Sequence, residues 1–436
     1  MRRLLNVVVQ RSLIITLAGL IVGLASSSAD AQCGAICLYE QGGTEMGRSG
    51  AGAGAAAQDA STAFWNSAGM TRLDENQLSV GGWFGIINQK LSLNDSTISV
   101  NPPGDTNGGE QAGGFVTPPG MGAYAALKLT DDLRFGFTFN GLLGGALDYG
   151  TRWVGRSFVT ENSLLAINIM PSLAYRVTDW LSFGVGLNAV YTNFNQELRA
   201  TALNLKVEMK DADGWGFGYT LSTLIEPRKG TRIGIVYRSE VDVSLNGDLQ
   251  NPSGLTPNFD FDMTYARGVN VSLFHQINPK LALLADGGWS DWSEFSFQEL
   301  SLGMLTIPVD RGWIDTWRIG LGMQYQINKP WMLQAGMSYD SSPVAASKRT
   351  PDLPVGQWWR WSIGAQRKLN DRMDLGFSYT FVWFGEGNVD NVALPPDGSV
   401  VLDGRYKQNS AHFFGINFKW KFNTGSLASK MKARKG

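Results

Sequence analysis

Apolar and polar side chains alternate in short stretches along most of the chain, from about Gln77 to Phe422. A period of two residues predicts β-strands that have one apolar and one polar face. We count fourteen such stretches, and the connections between them are alternately short and long. Tight turns at one rim and long loops at the other are typical of an outer-membrane barrel. The pattern therefore predicts an all-β fold, a 14-stranded antiparallel transmembrane β-barrel.

The predicted short connections are rich in Asn, Asp, Gly and Pro, which favour the backbone geometry of tight turns. They lie at residues 130–132, 178–179, 226–230, 278–280, 328–330 and 370–371. The long connections are predicted at residues 92–120, 148–159, 246–258, 298–310, 341–356 and 386–408, and the last strand is predicted from about Ala411. If successive strands alternate in direction, every long connection lies on one side, which is the external side of such barrels.

The last predicted strand indicates which of its faces meets the membrane. Its large apolar side chains share one face, at Phe414, Ile416, Phe418, Trp420 and Phe422. The other face carries Gly415, Asn417, Lys419 and Lys421. In a membrane barrel the apolar set faces lipid and the polar set faces the lumen. A soluble β-sandwich turns its apolar set inward instead, but fourteen strands with asymmetric connections favour the membrane barrel.

The composition agrees with this fold and narrows the possible partners. The chain has 53 glycines, 11% aromatic and 17% charged residues, and glycine and aromatic enrichment suits strand bends and interfacial girdles. After the N-terminus, no apolar run reaches the ~20 residues that a membrane helix needs. The formal net charge of -1 lacks the basic excess expected of a nucleic-acid-binding protein. We therefore predict no nucleic-acid partner.

Both ends of the chain differ from the barrel region. Residues 1–31 are predicted to be a secretory signal peptide, because basic residues precede an apolar core and Ala29-Asp30-Ala31 fits a cleavage site. Residues 423–436 are polar and basic and are predicted to form a periplasmic tail. A secreted 14-stranded barrel belongs in the bacterial outer membrane.

Few side chains are suited to catalysis or to metal binding. Cys33 and Cys37 are predicted to form a local disulfide in an oxidising periplasm, or to stay as two free thiols. His275 and His412 are the only histidines and lack the spacing of a zinc site. A barrel hydrolase needs a Ser-His-acid set, for which Ser410 beside His412 is the one candidate. We predict that the protein is not an enzyme and needs no metal or cofactor.

Residues 32–76 have a different character, since they are rich in Gly and Ala and lack a sustained period of two. We predict that they form a partly helical plug in the barrel lumen. Residues 58–62 read Q-D-A-S-T and residues 66–70 read N-S-A-G-M. These motifs resemble the N-terminal hatch of the FadL-type outer-membrane transporters, which usually reads A-x-D-A-S-T and then N-P-A-G. Ser67 occupies the position at which the family usually has proline, so the backbone of this turn is less restricted than in the family.

A second match to the same family lies around the third predicted strand. Residues 140–144 read N-G-L-L-G and residues 153–156 read W-V-G-R, which is similar to the family's kinked strand and its following loop. The resemblance implies a lateral opening in the barrel wall at Asn140, Gly141, Gly144 and Gly145. In a simpler interpretation, these glycines only relieve crowding against side chains of the plug.

The resemblance implies outer-membrane transport of long-chain fatty acids or aromatic hydrocarbons. The residues expected to gate it are Asn66, Ser67, Ala68 and Gly69. The expected partners are a hydrophobic small-molecule ligand, whose site detergent can also occupy, and outer-membrane lipid, and the protein is expected to be a monomer. Candidates for a ligand access groove are Phe115, Leu255 and Leu353. The alternatives are a general diffusion porin for small hydrophilic solutes and a surface adhesin that acts through the long loops.

Overall fold

A computed structural model describes residues 39–99, 111–115, 120–200, 205–250, 258–302, 305–394 and 400–423. The predicted signal peptide, Cys33 and Cys37, and the tail from residue 424 lie outside these ranges. Within them, the barrel strands pair antiparallel with their neighbours, and the last strand pairs with the first. The prediction of a closed 14-stranded antiparallel barrel is confirmed.

The strands follow one another around the barrel in chain order, and several consist of two segments. They are β1 (Asn76–Leu93), β2 (Gln111–Phe115 and Gly120–Lys128), β3 (Leu133–Asp148), β4 (Glu161–Thr178), β5 (Leu181–Ala200), β6 (Leu205–Arg228), β7 (Thr231–Arg238 and Val241–Gln250), β8 (Asn258–Tyr265 and Gly268–Gln276), β9 (Leu281–Ser290 and Phe297–Leu302), β10 (Leu305–Asp310 and Thr316–Gln326), β11 (Trp331–Asp340), β12 (Trp358–Lys368), β13 (Met373–Trp383 and Asn388–Leu394) and β14 (Val400–Phe422). A two-residue segment, Ile98–Ser99, also pairs with β14. None of the helices in the described ranges has the length and apolar character that crossing a membrane would require.

All six predicted short turns are confirmed, because two successive strands end and begin at or within two residues of each one. Three of these turns, at residues 278–280, 328–330 and 370–371, contain an asparagine. The asparagine side chain organises each of these three turns by accepting backbone hydrogen bonds. Asn278 Oδ1 accepts from the backbone of Leu281 at 3.0 Å, and Asn328 Oδ1 accepts from that of Trp331 at 3.1 Å. Local bonds of this kind are the reason that Asn favours turns.

Two of the predicted long loops are wrong. Residues 298–310 and 386–408 are largely strand, since the second segments of β9 and β13, the first segment of β10 and the start of β14 lie there. The last strand begins at Val400 rather than near Ala411, and strand also continues to Gln250 in the predicted loop 246–258. The predicted loops at 148–159 and 341–356 are largely free of strand in the structure.

The strand segments that continue beyond the predicted strands have their apolar side chains on the inside of the barrel and their polar side chains on the outside. In the second segment of β7, Val243 and Leu245 are buried, while Asp242 and Ser244 are exposed. In the lower segment of β8 the order is opposite, because Asn270 and Ser272 point inward and Val271 is 46% exposed on the outside. An apolar outer face matches lipid, and a polar outer face matches water. The barrel wall therefore leaves the membrane between these segments.

This reversal predicts opposite effects for adjacent substitutions in β7. Val243→Asp places a carboxylate inside the upper barrel and is expected to destabilise the protein by about 3 kcal/mol. Asp242→Val changes only the solvent face and is expected to stay within about 0.5 kcal/mol of the wild type. Urea-induced unfolding followed by tryptophan fluorescence measures both. Equal destabilisation by the two variants would contradict the reversed polarity.

Candidate functional site

Residues 39–73, which we call the hatch segment, fill the lower part of the barrel lumen. They form four short helical turns, Thr44–Arg48, Ala53–Ala56, Thr62–Trp65 and Ser67–Arg72. Nearly every residue of the segment is buried, including polar ones such as Asp59. Because the turns pack against strands on several sides of the wall, the surrounding barrel supplies the contacts that helices this short lack on their own.

Glycines allow the backbone of the hatch segment to touch the barrel wall, because they have no side chain. A Cβ atom on Gly81 of β1 would lie 1.7 Å from the carbonyl oxygen of Gly42. On the other side, a Cβ atom on Gly234 of β7 would lie 2.0 Å from the carbonyl oxygen of Gly54. Only glycine permits such close backbone approach. The Gly-rich composition of these segments therefore has a packing cause.

A buried charged network on the inner wall faces the hatch segment. Arg318 of β10 bonds Asp286 of β9 at 3.1 Å and Asp340 of β11 at 3.3 Å. Arg360 of β12 bonds Asp340 at 2.5 Å and lies 3.6 Å from Glu40. All five side chains are at least nine-tenths buried. Buried charges are tolerable only when they are paired in this way.

The network holds the hatch segment through both backbone and ring contacts. The Asp286 carboxylate accepts a hydrogen bond from the backbone N–H of Gly52 at 3.0 Å, and the Arg318 guanidinium donates to the carbonyl of Ser49. The Arg318 guanidinium also lies 3.7 Å from the centroid of the Tyr39 ring, a favourable cation–π geometry. The charged wall therefore fixes the position of residues 39–52.

The four predicted gate residues lie together on the far side of the hatch segment, against β6 and β7. The side-chain amide of Asn66 donates to the carbonyls of Gly54 and Thr223 at 2.6 and 3.0 Å. The Ser67 hydroxyl donates to the carbonyl of Ala63 at 3.0 Å, and the backbone N–H of Ala68 donates to Ser222 at 3.2 Å. The remaining member, Gly69, packs tightly, because a Cβ atom there would lie 2.2 Å from the Thr62 hydroxyl. Ser67 thus supplies a hydrogen bond that proline lacks.

The four predicted kink residues have different surroundings along β3. Asn140 is fully buried and donates to the side chain of Gln41 in the hatch segment at 2.5 Å. A register shift against β4 follows between Gly141 and Leu143, which is a β-bulge. A Cβ atom on Gly141 would meet no heavy atom within 4 Å. Gly144 and Gly145 lie beyond the bulge and line a cavity.

This cavity lies above the hatch segment and has a volume of about 70 Å³. Most of the lining is apolar and comes from β1, β3, β4, β12, β13, β14 and the connection before β12. It comprises Ile87, Gln89, Leu143, Gly144, Gly145, Leu147, Asn162, Leu164, Asp352, Leu353, Pro354, Val355, Trp358, Phe384 and Phe413. Its three polar side chains bond neighbours, Gln89 to Asn409, Asn162 to the Asp352 carbonyl and Asp352 to Arg311. Few polar groups are therefore left for a ligand, and the surface suits an apolar molecule.

The connection between β11 and β12 forms a ceiling over the cavity. The Tyr149 hydroxyl donates to the carbonyl of Pro351 at 2.8 Å and lies 2.8 Å from the hydroxyl of Tyr406. Burial raises the pKa of Tyr149 well above its usual value, so this hydroxyl stays protonated and can donate. The Arg349 guanidinium donates to the carbonyl of Val355 at 2.7 Å. The ceiling is therefore held by polar bonds, while its apolar residues point into the cavity.

Sequence reasoning found only part of this site. Of the predicted access residues, Leu353 lines the cavity, Phe115 lies in β2, and Leu255 lies outside the described residues. The aromatic lining of Trp358, Phe384 and Phe413 was missed, because alternation alone does not show which strands meet across a lumen. Phe384 and Phe413 are buried and Trp358 is partly buried, and this inward placement is the signal that the structure adds.

The histidines and acidic residues form no site of their own in the described part of the chain. His412 Nδ1 lies 2.8 Å from the Tyr379 hydroxyl, and its pairing is therefore with an aromatic residue of the outer wall. Among the described residues, no group of three or more His, Cys, Asp or Glu side chains has the proximity that a metal ion needs. The apolar cavity and the hatch segment beneath it are the strongest candidate for function.

Known proteins share both the sequence and the architecture of this chain. The long-chain fatty acid transport protein of Escherichia coli O6:H1 is 25% identical over 460 residues, which cover 93% of this chain and 98% of that protein. Outer membrane protein P1 of Haemophilus influenzae is 26% identical over 452 residues, covering 92% and 97%. Both alignments extend along nearly the full length of each relative.

Solved structures share the fold at low sequence identity. A FadL homologue of Pseudomonas aeruginosa superimposes with a TM-score of 0.79 and 18% identity, covering 89% of this chain and all of that one. The toluene transporter TodX of Pseudomonas putida gives a TM-score of 0.62 and 15% identity, covering 82% and 93%. The model of the outer membrane protein transport protein family (OMPP1/FadL/TodX) matches residues 24–422. With its hatch-filled 14-stranded barrel, the chain therefore belongs to this family of outer-membrane transport proteins.

Proposed function

We propose that this protein transports hydrophobic compounds, long-chain fatty acids or aromatic hydrocarbons, across the outer membrane and that it is not an enzyme. The apolar cavity between the hatch segment and the ceiling is the observation that carries the proposal. The relatives named for fatty acid and toluene transport support this substrate class. Transfer from water into such a cavity is favourable by ~0.8 kcal/mol for each buried CH₂ group. Because one chain encloses the whole cavity, we also propose that the monomer is the working unit.

The hatch segment, in this proposal, is the gate beneath the cavity. It blocks the lower lumen and is held on two sides, by the charged network around Arg318 and by the bonds of Asn66 and Ala68. Asn140 connects the hatch segment to β3 through Gln41. A ligand that shifts β3 would therefore also shift the hatch segment, and a movement of the hatch segment would shift β3.

The exit, in this proposal, is sideways through the wall between β2 and β3. The bulge after Gly141 gives β3 an extra residue against β4, and bulges bend the strand that carries them. In the described strands, Met121 of β2 pairs with β1 but has no pair on β3, although Gly122 pairs with Asn140. A ligand in the cavity already touches Gly144 and Gly145, so its path to the membrane is short.

A direct test compares the uptake of hydrophobic compounds with that of small hydrophilic solutes. Liposomes that contain the protein are expected to take up labelled oleate or toluene faster than empty liposomes, and to swell no faster than these in isotonic sugar. The hatch segment blocks water-filled passage, whereas a general diffusion porin conducts small hydrophilic solutes. Lipids or aromatics that co-purify with the protein, identified by mass spectrometry, would name the ligand. Sugar swelling without hydrophobic uptake would support the porin and overturn the proposal.

Bulk at the bend of β3 is expected to slow transport. Both Gly144→Val and Gly145→Val introduce a branched side chain that stiffens the strand. Gly145 pairs with Leu164 of the cavity lining, so its valine also adds bulk to the cavity, whereas Gly144 pairs with the exposed Leu165 and its valine faces outward. We expect hydrophobic uptake to fall about tenfold, the equivalent of ~1.4 kcal/mol in the barrier. Gly287→Val is the matched control, since a Cβ atom there has its nearest heavy atom 3.9 Å away. Normal uptake by folded Gly144→Val and Gly145→Val variants would exclude the lateral exit.

Loosening the charged network is expected to make the gate leak. Arg318→Met leaves Asp286 without its guanidinium partner, and unpairing a buried charge costs about 3–5 kcal/mol. The variant is expected to show frequent ion-conducting openings in planar bilayers, where the wild type is closed. Lys128→Gln is the control, because it breaks only the pair with Asp131, which solvent screens and which therefore contributes little. A closed Arg318→Met channel would show that the network does not latch the hatch segment.

A further inference from the structure

The outer wall carries a second apolar depression that faces the membrane and is separate from the lumen. This wall groove crosses β10–β13 and has a volume of about 710 Å³. Its raised borders are Met323 and Tyr325 on one side and Phe377 and Tyr379 on the other. Leu333 and Ile363 also line the groove, and they project into the membrane on either side of its floor, with 43% and 62% of their surfaces exposed.

Two alanines on adjacent strands create the wall groove. Ala335 of β11 pairs with Met323 and with Ile363, and Ala365 of β12 pairs with Leu333 and with Phe377. Paired residues of an antiparallel sheet lie side by side on one face. Each alanine is therefore a low point between larger neighbours, and together they form a diagonal trough. A trough of this shape fits a single extended chain better than a protein surface.

A cation stands at the lower end of the trough. Arg367 follows Ala365 by two residues and so points to the same face. It pairs with Trp331, and its guanidinium lies 5.4 Å from the centroid of that ring. In the described part of the chain, Arg367 has no ion pair, whereas the adjacent Lys368 bonds Asp371 at 2.9 Å. A positive charge over an aromatic ring therefore remains available to an anion.

The wall groove lies in the half of the barrel near the short turns at residues 328–330 and 370–371. In outer-membrane barrels, short turns face the periplasm. Arg367 and Trp331 are next to these turns, at the depth where aromatic and basic side chains meet lipid headgroups. The two alanines lie deeper in the hydrocarbon layer. The order from the rim is therefore cation, then apolar trough, which is the order of a phospholipid's phosphate and acyl chain.

We propose that the wall groove is a binding site for one anionic glycerophospholipid of the periplasmic leaflet. The phosphate bonds the Arg367 guanidinium, and one acyl chain lies over Ala365 and Ala335. The free guanidinium selects a lipid over an uncharged detergent, because only the lipid supplies an anion at that depth. This site is independent of the transported compound, since the barrel wall separates it from the lumen.

Native mass spectrometry of the full chain, titrated with palmitoyl-oleoyl-phosphatidylglycerol, tests the proposal. The wild type is expected to retain one lipid at concentrations where a second is not yet bound. Arg367→Gln is expected to weaken this binding about fivefold, as for the loss of one cation at a membrane surface. Ala365→Leu and Ala335→Leu fill the trough and are expected to abolish retention of the single lipid.

Two controls separate a defined site from general lipid contact. Arg228→Gln removes another exposed rim arginine, and Ala285→Leu enlarges a wall alanine outside the groove; both are expected to bind like the wild type. Equal weakening by Arg228→Gln and Arg367→Gln would overturn the proposal, because diffuse rim charge would then explain binding. Unchanged retention in folded Ala365→Leu, or a dimer mass in place of the lipid adduct, would also overturn it.

Discussion

Backbone hydrogen bonding in lipid is the constraint on which this structure depends. No water reaches the hydrocarbon layer, so each unpaired N–H or C=O group there costs several kcal/mol. The pairing of β14 with β1, from Asn76 opposite Phe422 onward, closes the sheet and removes both edges. Closure with fourteen strands creates an interior wider than wall side chains alone can fill. Everything inside the barrel, from the hatch segment to the cavity, occupies that space.

The lower lumen is filled by a segment that needs the wall in order to fold. Its helical turns are only four to six residues long, and such helices are unstable on their own. The wall supplies glycine contacts at Gly81 and Gly234 and a buried network at Arg318 and Arg360. A buried ion network adds little net stability but penalises every arrangement that leaves a charge unpaired. It is therefore better suited to define one position of the hatch segment than to strengthen the barrel.

Above the hatch, the wall meets water on the outside and apolar groups on the inside. Val243, Leu245 and Phe259 are buried within, together with Trp292 and Phe295. This upper region is built like the core of a soluble protein, whereas the lower wall is built for lipid. The cavity lies beside this boundary, next to Leu143 and Leu164. In the proposed function, a hydrophobic molecule that enters from the external side meets this apolar interior before it meets the hatch segment.

The sequence alone was sufficient for the barrel, its strand number and its short turns. Period-two alternation and the Asn-containing turns are local properties, such as the bonds from Asn278 and Asn328 to the next strand. It did not distinguish the strands above the membrane from loops, because residues such as Glu299 and Asp390, which lie in strands, suit either a loop or a solvent-facing strand. Tertiary structure alone decided which side chains meet across the lumen: Arg318 with Ser49, Asn140 with Gln41, and Leu353 with Phe413 around one cavity. The physical reason is that closure of the barrel brings together residues hundreds of positions apart, and alternation along one strand carries no information about that distance.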